Sequence, residues 1–396
     1  MTKIFTGSFT QQEPIPEDAI EAAVEVLRSG RLHRYNLIDD ESGQVSDLEV
    51  EFATFTGAKY ALAVASGGYA MGCALRALGV GVGDLVLSNA FTLAPVPGAI
   101  DSVGARPVLI DTTEALTIDL DHLQARAKDT GAKVLLLSHM RGHICDMDRL
   151  MEICDHMGIQ VIEDCAHTMG GAWRDVPSGR HGVIGCYSTQ TYKHINSGEG
   201  GLIVCDDPEI MARMVVLSGS YMLFGKHGAV PSADVFEKVK LETPNVSGRM
   251  DHLRAAILRP QLRDLPAQIA RWNALYRRLE DGLRNVRGLK LIERAAEESI
   301  VGSSFQFLLP GFTAEQITHV ITNCAARGVE LKWFGAAEPV AFTSNYTSWH
   351  YADPPKLPQT DHILAGLIDM RVPLTFGEAD CALIAEIITE EVMAAG

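Results

Sequence analysis

Five segments between residues 106 and 164 alternate in kind: RPVLIDT, LDHLQARAKD, KVLLLSH, MDRLMEICDHM and IQVIED. The first, third and fifth are short apolar runs of strand length, and the two between them carry apolar residues at helical spacing. Strand, helix and strand in that rhythm give right-handed βαβ units and therefore a largely parallel sheet flanked by helices. The expected class is α/β. Parallel strands buried on both faces bring their C-terminal ends to one edge, the place where an open α/β sheet binds its ligand.

The last of those strands ends in Glu163 and Asp164, which puts a carboxylate at the mouth of a crevice. After a Gly-, Pro- and Arg-containing excursion, a second strand-like run, VIGCYS, delivers Ser188 and then Lys193 ahead of the turn Gly198-Glu199-Gly200-Gly201. A buried carboxylate followed by Ser-x-x-x-x-Lys is what pyridoxal phosphate needs, with Lys for the Schiff base and Asp for the pyridinium nitrogen. Taken singly these residues prove little. Asp164 also reads as the N-cap of segment 166–171, Lys193 as a surface lysine, and His167 as a satisfied half-buried histidine. Glycines directly after the lysine point to a tight turn against a ligand or another backbone.

Upstream, residues 16–29 pattern as an amphipathic helix stopped by Gly30. A strand over 60–65 runs into Ser66-Gly67-Gly68 and then a helix, whose first backbone N–H groups can bind a phosphate. The net charge of −16 argues against nucleic acid or an anionic membrane as the main partner, because the summed field repels phosphate. Eight cysteines without a CxxC pair read as reduced core thiols, which suggests the cytoplasm. The first residues hold no apolar core of a signal peptide, and no apolar run is long enough to span a bilayer, so a soluble protein is expected.

These stretches resemble the DegT/DnrJ/EryC1/StrS sugar aminotransferases, fold type I pyridoxal phosphate enzymes. EDCAH at 163–167 resembles the family's acidic pair, Ala, then Gln or His. Residues 188–201 resemble its Ser, four residues, Lys, GEGG. ALAVASGGYAM resembles "avavsSGTaAL", RGHICDMD resembles "yGqpaDmd", and PNVSGRMDHLRAAILRPQL resembles "gyNyRMselqAAiglaQL". The resemblance spans roughly residues 16–394. It implies a large cofactor-binding domain over 1–248, with a mostly parallel central sheet and an N-terminal helical arm. A smaller C-terminal α+β domain follows over 249–396. Strands KLIE and SFQFLL, and helices over 314–327, 361–368 and 378–394, fill that second domain.

By the same match Lys193 carries the cofactor and Asp164 pairs with its ring nitrogen, while His167 sits beside the ring oxygen and Ser188, Gly67 and Gly68 hold the phosphate. Gly68 stands where the family usually has Thr. Leu93 stands where the family has an aromatic that stacks on the ring, so Phe91, Tyr69 or Leu93 itself must cover it. In the family an Asn reaches the phosphate of the neighbouring subunit; here Asn245 is displaced and Ser247 falls in the aligned place. The resemblance thus implies a homodimer with shared active sites and no metal. Asp146 reads as a helix N-cap and Gly142 as a sheet-edge residue.

The expected reaction moves an amino group from glutamate or glutamine to a keto sugar, often nucleotide-linked, or to a related keto cyclitol. Lys193 would act as the base for the proton shift. The missing Thr and the aliphatic Leu93 suggest one alternative, a regulator or pseudoenzyme that binds the cofactor without turnover. A second, the dehydratase branch with His in place of this Lys, is disfavoured because Lys193 is present. The loop over 334–357, with Trp349, Tyr346 and His350, is where substrate would be chosen.

Overall fold

In the computed structural model, which describes residues 3–38, 41–340 and 344–396, the main sheet has seven strands. They are β1 (Tyr60–Val64), β2 (Leu85–Asn89), β3 (Arg106–Ile110), β4 (Val134–Ser138), β5 (Gln160–Asp164), β8 (Ile184–Ser188) and β9 (Gly201–Cys205), in the order β1-β9-β8-β5-β4-β2-β3. Strands β3, β2, β4, β5 and β8 pair in parallel, and β9 alone runs against both its neighbours. This is the α/β fold type I sheet. Two further sheets are small: β6 (Ala172–Trp173) and β7 (Val176–Pro177) with β11 (Glu298–Ser299), and an antiparallel group of β10 (Lys290–Leu291), β12 (Ser304–Leu308), β13 (Lys332–Trp333) and β14 (Leu367–Arg371).

Alternation along the strands decides which helices cover the main sheet, since successive side chains point to opposite faces. Leu62 and Val64 of β1, Leu136 of β4, Ile162 of β5 and Ile203 of β9 pack on one face with the helices Gly67–Ala77, Pro95–Ser102 and Pro208–Leu217. Ala61, Ala63, Leu202 and Val204 face the opposite side, against the helices Gln44–Thr56 and His252–Leu283. Leu135, Leu137 and Val161 meet the helices Leu120–Thr130 and Met147–Met157 there. Both faces are apolar because both are covered. Burying each such Val, Leu or Ile contributes roughly 1.5–3 kcal/mol.

The helix ends follow local chemistry. Asp119, Asp146 and Asp207 each cap the helix that follows through a side-chain oxygen, and Gly30, Gly131 and Gly158 close helices in the left-handed conformation that costs glycine little. All eight cysteines are buried and unpaired. Among the described residues no helix is long and apolar enough to cross a membrane.

Three local expectations need correction. The segment read as a helix over 361–368 is the helix Pro358–Ala365 followed directly by β14, an apolar run in which helix and strand spacing cannot be told apart. Gly142 does not lie at a sheet edge, for it follows β4, which sits between β2 and β5. The first residues, read as part of the cofactor-binding arm, pack elsewhere: Phe5 and Phe9 join Phe376 in edge-on ring contacts inside the core of the β10-β12-β14-β13 sheet.

Candidate active site

The C-terminal ends of β1, β2, β4, β5 and β8 open onto one cavity of about 800 Å³, which β14 and the N-terminal segment close from the other side. At one end Ser66 caps the helix Gly67–Ala77, its hydroxyl accepting from the Tyr69 N–H at 3.0 Å. A Cβ on Gly67 would stand 2.9 Å from the Ser188 Cβ, so only glycine lets β8 approach this helix start so closely. At Gly68 the nearest atom to a built Cβ is the Ser66 hydroxyl at 4.0 Å, so the space above it is open.

Asp164 lies on the cavity floor, 7% exposed. Its Oδ2 accepts from Ser138 Oγ at 3.0 Å, and Thr92 Oγ1 donates in turn to Ser138 Oγ at 2.8 Å. The Asn89 amide bonds the Ser138 backbone on both sides, at 2.7 and 2.9 Å, which ties the ends of β2 and β4 together. Oδ1 accepts from the Ala166 N–H at 3.1 Å, so the capping reading and the site reading hold together. Burial raises the Asp164 carboxyl, against the opposing pull of Lys193.

Lys193 stands beside it, its Nζ 2.9 Å from His167 Nε2. Burial lowers the amine to about 7, with Asp164 opposing and Arg141 and Arg371 adding to the fall. Burial and the Lys193 charge also push His167 well below its ordinary value, so its ring is neutral and shares a hydrogen bond with the amine through Nε2. Near neutrality a substantial share of the amine is therefore uncharged and nucleophilic.

Glu163 faces the other way. Oε1 accepts from the N–H groups of His181 and Gly182 at 2.8 and 2.7 Å, and Oε2 from the Gly179 N–H at 2.8 Å and against His139 Nε2 at 2.9 Å. Burial works to raise this carboxyl, but the bonds from His139, Gly182 and Gly179 outweigh it and hold it below the usual range. The carboxylate pins the loop that leads into β8. His139, Glu163 and Cys165 lie close enough to share a cation, yet both oxygens of Glu163 are already committed to these donors.

Of the residues singled out from sequence, Gly67, Gly68, Leu93, Asp164, His167, Ser188 and Lys193 are brought together around the cavity. Phe91 is not. It is 1% exposed and meets Phe334 edge-on at 5.1 Å, because the turn pinned by Asn89 and Thr92 sends it away from the cavity and leaves Leu93 on the wall. Tyr69 also lies outside, its hydroxyl donating to the carbonyls of Leu217 and Val246. Asn245 and Ser247 are exposed and line no part of their own chain's cavity. Within 334–357, residues 341–343 lie outside the described residues; Tyr346 and Trp349 are buried in the cluster that holds Phe91, and of the described residues of this loop only Ser344 stands on the cavity wall. Sequence reasoning missed Ser138, Arg141, Tyr192 and Arg371, all of which line the cavity. Tyr192 could have been found as the neighbour of Lys193; the others carried no local signal.

These residues fit pyridoxal phosphate. The fit rests on the open space over Gly68 at a helix N-terminus, the buried Asp164 at the floor and the depressed amine of Lys193 between them.

The sequence matches the family described as the DegT/DnrJ/EryC1/StrS aminotransferase family over residues 14–389. It is 31% identical over 367 residues to the 3-amino-5-hydroxybenzoate synthase of Amycolatopsis mediterranei (strain S699), covering 88% of this chain and 89% of that protein. With the spore coat polysaccharide biosynthesis protein SpsC of Bacillus subtilis (strain 168) it shares 30% identity over 279 residues, 69% of each chain. Among solved structures, a crystal structure of 3-amino-5-hydroxybenzoic acid synthase superposes with a TM-score of 0.81 at 25% identity, covering 100% of both chains.

Proposed function

The chain belongs to the DegT/DnrJ/EryC1/StrS aminotransferase family of pyridoxal phosphate-dependent enzymes, and on that premise we propose that it moves the amino group of glutamate or glutamine to a keto sugar, nucleotide-linked, or to a related keto cyclitol. One relative is named for an amine-bearing hydroxylated ring and the other for coat polysaccharide, so each side of this reading has a relative behind it. The observation that carries it is the near-neutral Lys193 amine held between His167 and Asp164.

The bound cofactor supplies an aldehyde to which amines add and an electron-poor ring that draws charge from the adjoining carbon. This chain's residues supply the rest. The N–H groups of Gly67 and Gly68, with the Ser188 hydroxyl, take the phosphate. Asp164, held by Ser138 and the Ala166 N–H, keeps its carboxylate toward the ring nitrogen and stabilises the proton there. When not bonded to the cofactor, Lys193 would take the proton from the substrate carbon and hand it back to the carbon on the far side of the nitrogen, which its depressed pKa suits it to do near neutral pH. Leu93 covers the ring from one side, and Asn245 or Ser247 serves the phosphate of a second copy in a homodimer.

Borohydride treatment of the loaded protein should fix one pyridoxyl group per chain on the peptide containing Lys193. Glutamate should convert the bound cofactor to its amine form in a single turnover. Labelling of another lysine, such as Lys226, would overturn the assignment; inertness toward every donor would favour the cofactor-binding regulator instead.

A further inference from the structure

A second, smaller cavity of about 80 Å³ lies beside Lys193, between the N-terminal segment 12–16 and the helix His252–Leu283. Gln12, Lys193 and Trp272 border both this space and the larger cavity, so they form the partition between the two. The exposed Asp264 also lines the smaller cavity, which therefore reaches toward solvent on the helix side. One hydrogen-bonded pair crosses the partition. Ser303 lines the larger cavity only and His194 the smaller only, and His194 Nε2 lies 3.0 Å from Ser303 Oγ.

His194 is 7% exposed, its ring set edge-on to Trp272 at 5.3 Å. Nε2 is taken up by Ser303, while Nδ1 is buried with no hydrogen-bond partner among the described residues. Buried polar atoms left over by the protein are met by ordered water where there is room and further polar lining. Both conditions hold at His194. The cavity far exceeds the roughly 10–15 Å³ that one water needs, and Gln12 and Asp264 border it as further partners. Gln261, on the same wall, is already committed to the Asn196 backbone through both ends of its amide.

Burial, and after it the Lys193 charge, bring the His194 ring down to about 3, so it is neutral wherever the protein works. A neutral imidazole carries a proton on one nitrogen and a lone pair on the other. It therefore takes a proton at one side of the ring as it releases one at the other, without becoming charged. Neither the phosphate end of the larger cavity, where Gly67, Gly68 and Ser188 stand, nor Asp164 on its floor calls on this pair.

We propose that Ser303 and His194 form a proton path through the partition, by which the proton that Lys193 holds during the reaction exchanges with water in the second cavity. The inference rests on the aminotransferase reading, in which Lys193 carries that proton. As Ser303 Oγ receives a proton from the larger cavity, its own passes to Nε2 and Nδ1 releases one to water. The reverse passage brings a solvent proton in and restores the tautomer. Protons are thus exchanged one for one, the ring stays neutral and no electrons are transferred.

Two substitutions test it from opposite ends. His194→Phe keeps a ring against Trp272 and removes both nitrogens. Ser303→Ala cuts the path on the cavity side by removing one oxygen, and it carries the test alone if the first fails to fold. The holoenzyme is given L-glutamate or L-glutamine bearing deuterium at carbon 2, and the deuterium lost to water is compared with that kept on the amine form of the cofactor. Inactive protein contributes to neither quantity, so a merely structural loss leaves the ratio unmoved. The ratio of lost to kept deuterium should fall at least about tenfold in each variant, well within what a positioned proton carrier supplies. An unchanged ratio in either folded variant would overturn the path. A second readout needs no turnover: crystals of the cofactor-free protein should hold a water within hydrogen-bond distance of His194 Nδ1, and a dry Nδ1 would overturn the path as well. Failure of the parent to convert either donor would instead refute the aminotransferase reading, whereas conversion with an unmoved ratio leaves that reading intact and removes only the path.

Discussion

Holding an amine ready for chemistry inside a protein costs stability, and the cost at Lys193 can be measured directly. Burial brings this amine from 10.5 to about 7. Between those values the unfolded chain binds a proton that the native chain lacks, so native stability rises with pH through that window and the full penalty stands below its lower end. At about 1.4 kcal/mol per pH unit the depression amounts to about 5 kcal/mol. Lys193 opens onto the cavity, where water relieves part of this, and roughly half is the figure to expect. The perturbation is Lys193→Met, which keeps the apolar stem and removes the charge. Urea unfolding of the cofactor-free protein and its variant should show the variant gaining at neutral pH, with the gap closing by about 2 kcal/mol or more as pH rises to about 10.5. Groups elsewhere cancel in the comparison, and the bond to His167 lost in the variant adds only a nearly constant offset. A gap independent of pH would refute the claim that the Lys193 amine is near neutrality in the folded chain.

Asp164→Asn should leave the fold intact and reduce turnover by on the order of a thousandfold, the scale of losing a preorganised charge partner; a near-normal steady-state rate would show that Asp164 only caps the turn at Ala166. Glu163→Gln should destabilise the protein by roughly 2–4 kcal/mol, because the amide nitrogen must face a donor that the carboxylate now accepts; an unchanged unfolding midpoint would refute that account. Sedimentation should find at least a dimer, since Asn245 and Ser247 stand away from their own chain's cavity, and a fully active monomer at assay concentration would sink the shared-site proposal.

The sheet and its C-terminal edge were legible because each feature is local. Apolar runs such as LLL of β4 and VI of β5 must be buried on both faces, and the residues that leave such strands, Asp164 and Ser188, must meet at one edge. The nearness of Gly67 to Ser188 was implied by the resemblance, which sets both at the phosphate. Arg141 and Arg371 were illegible for the opposite reason. Each becomes part of the site only through partners on another sheet, Asp369 for one and Tyr192 for the other. β14 was itself hidden in an apolar stretch that suits a helix as well as a strand, and so the residue that ends it could not be placed.

Phe91 shows how a buried hydrogen bond can overrule an aromatic's apparent destiny. From sequence it is the nearest ring to the place where the cofactor must be covered. Yet Asn89 and Thr92, on either side of it, both bond Ser138, and Ser138 in turn bonds Asp164. The same bonds that orient the carboxylate therefore set the course of the 89–92 turn, which drives Phe91 into the cluster with Phe334 and leaves the smaller Leu93 at the cavity. Turning Phe91 inward would break the Thr92 bond and loosen Asp164 with it. An aliphatic wall is the physical consequence of anchoring Asp164 through β2 and β4.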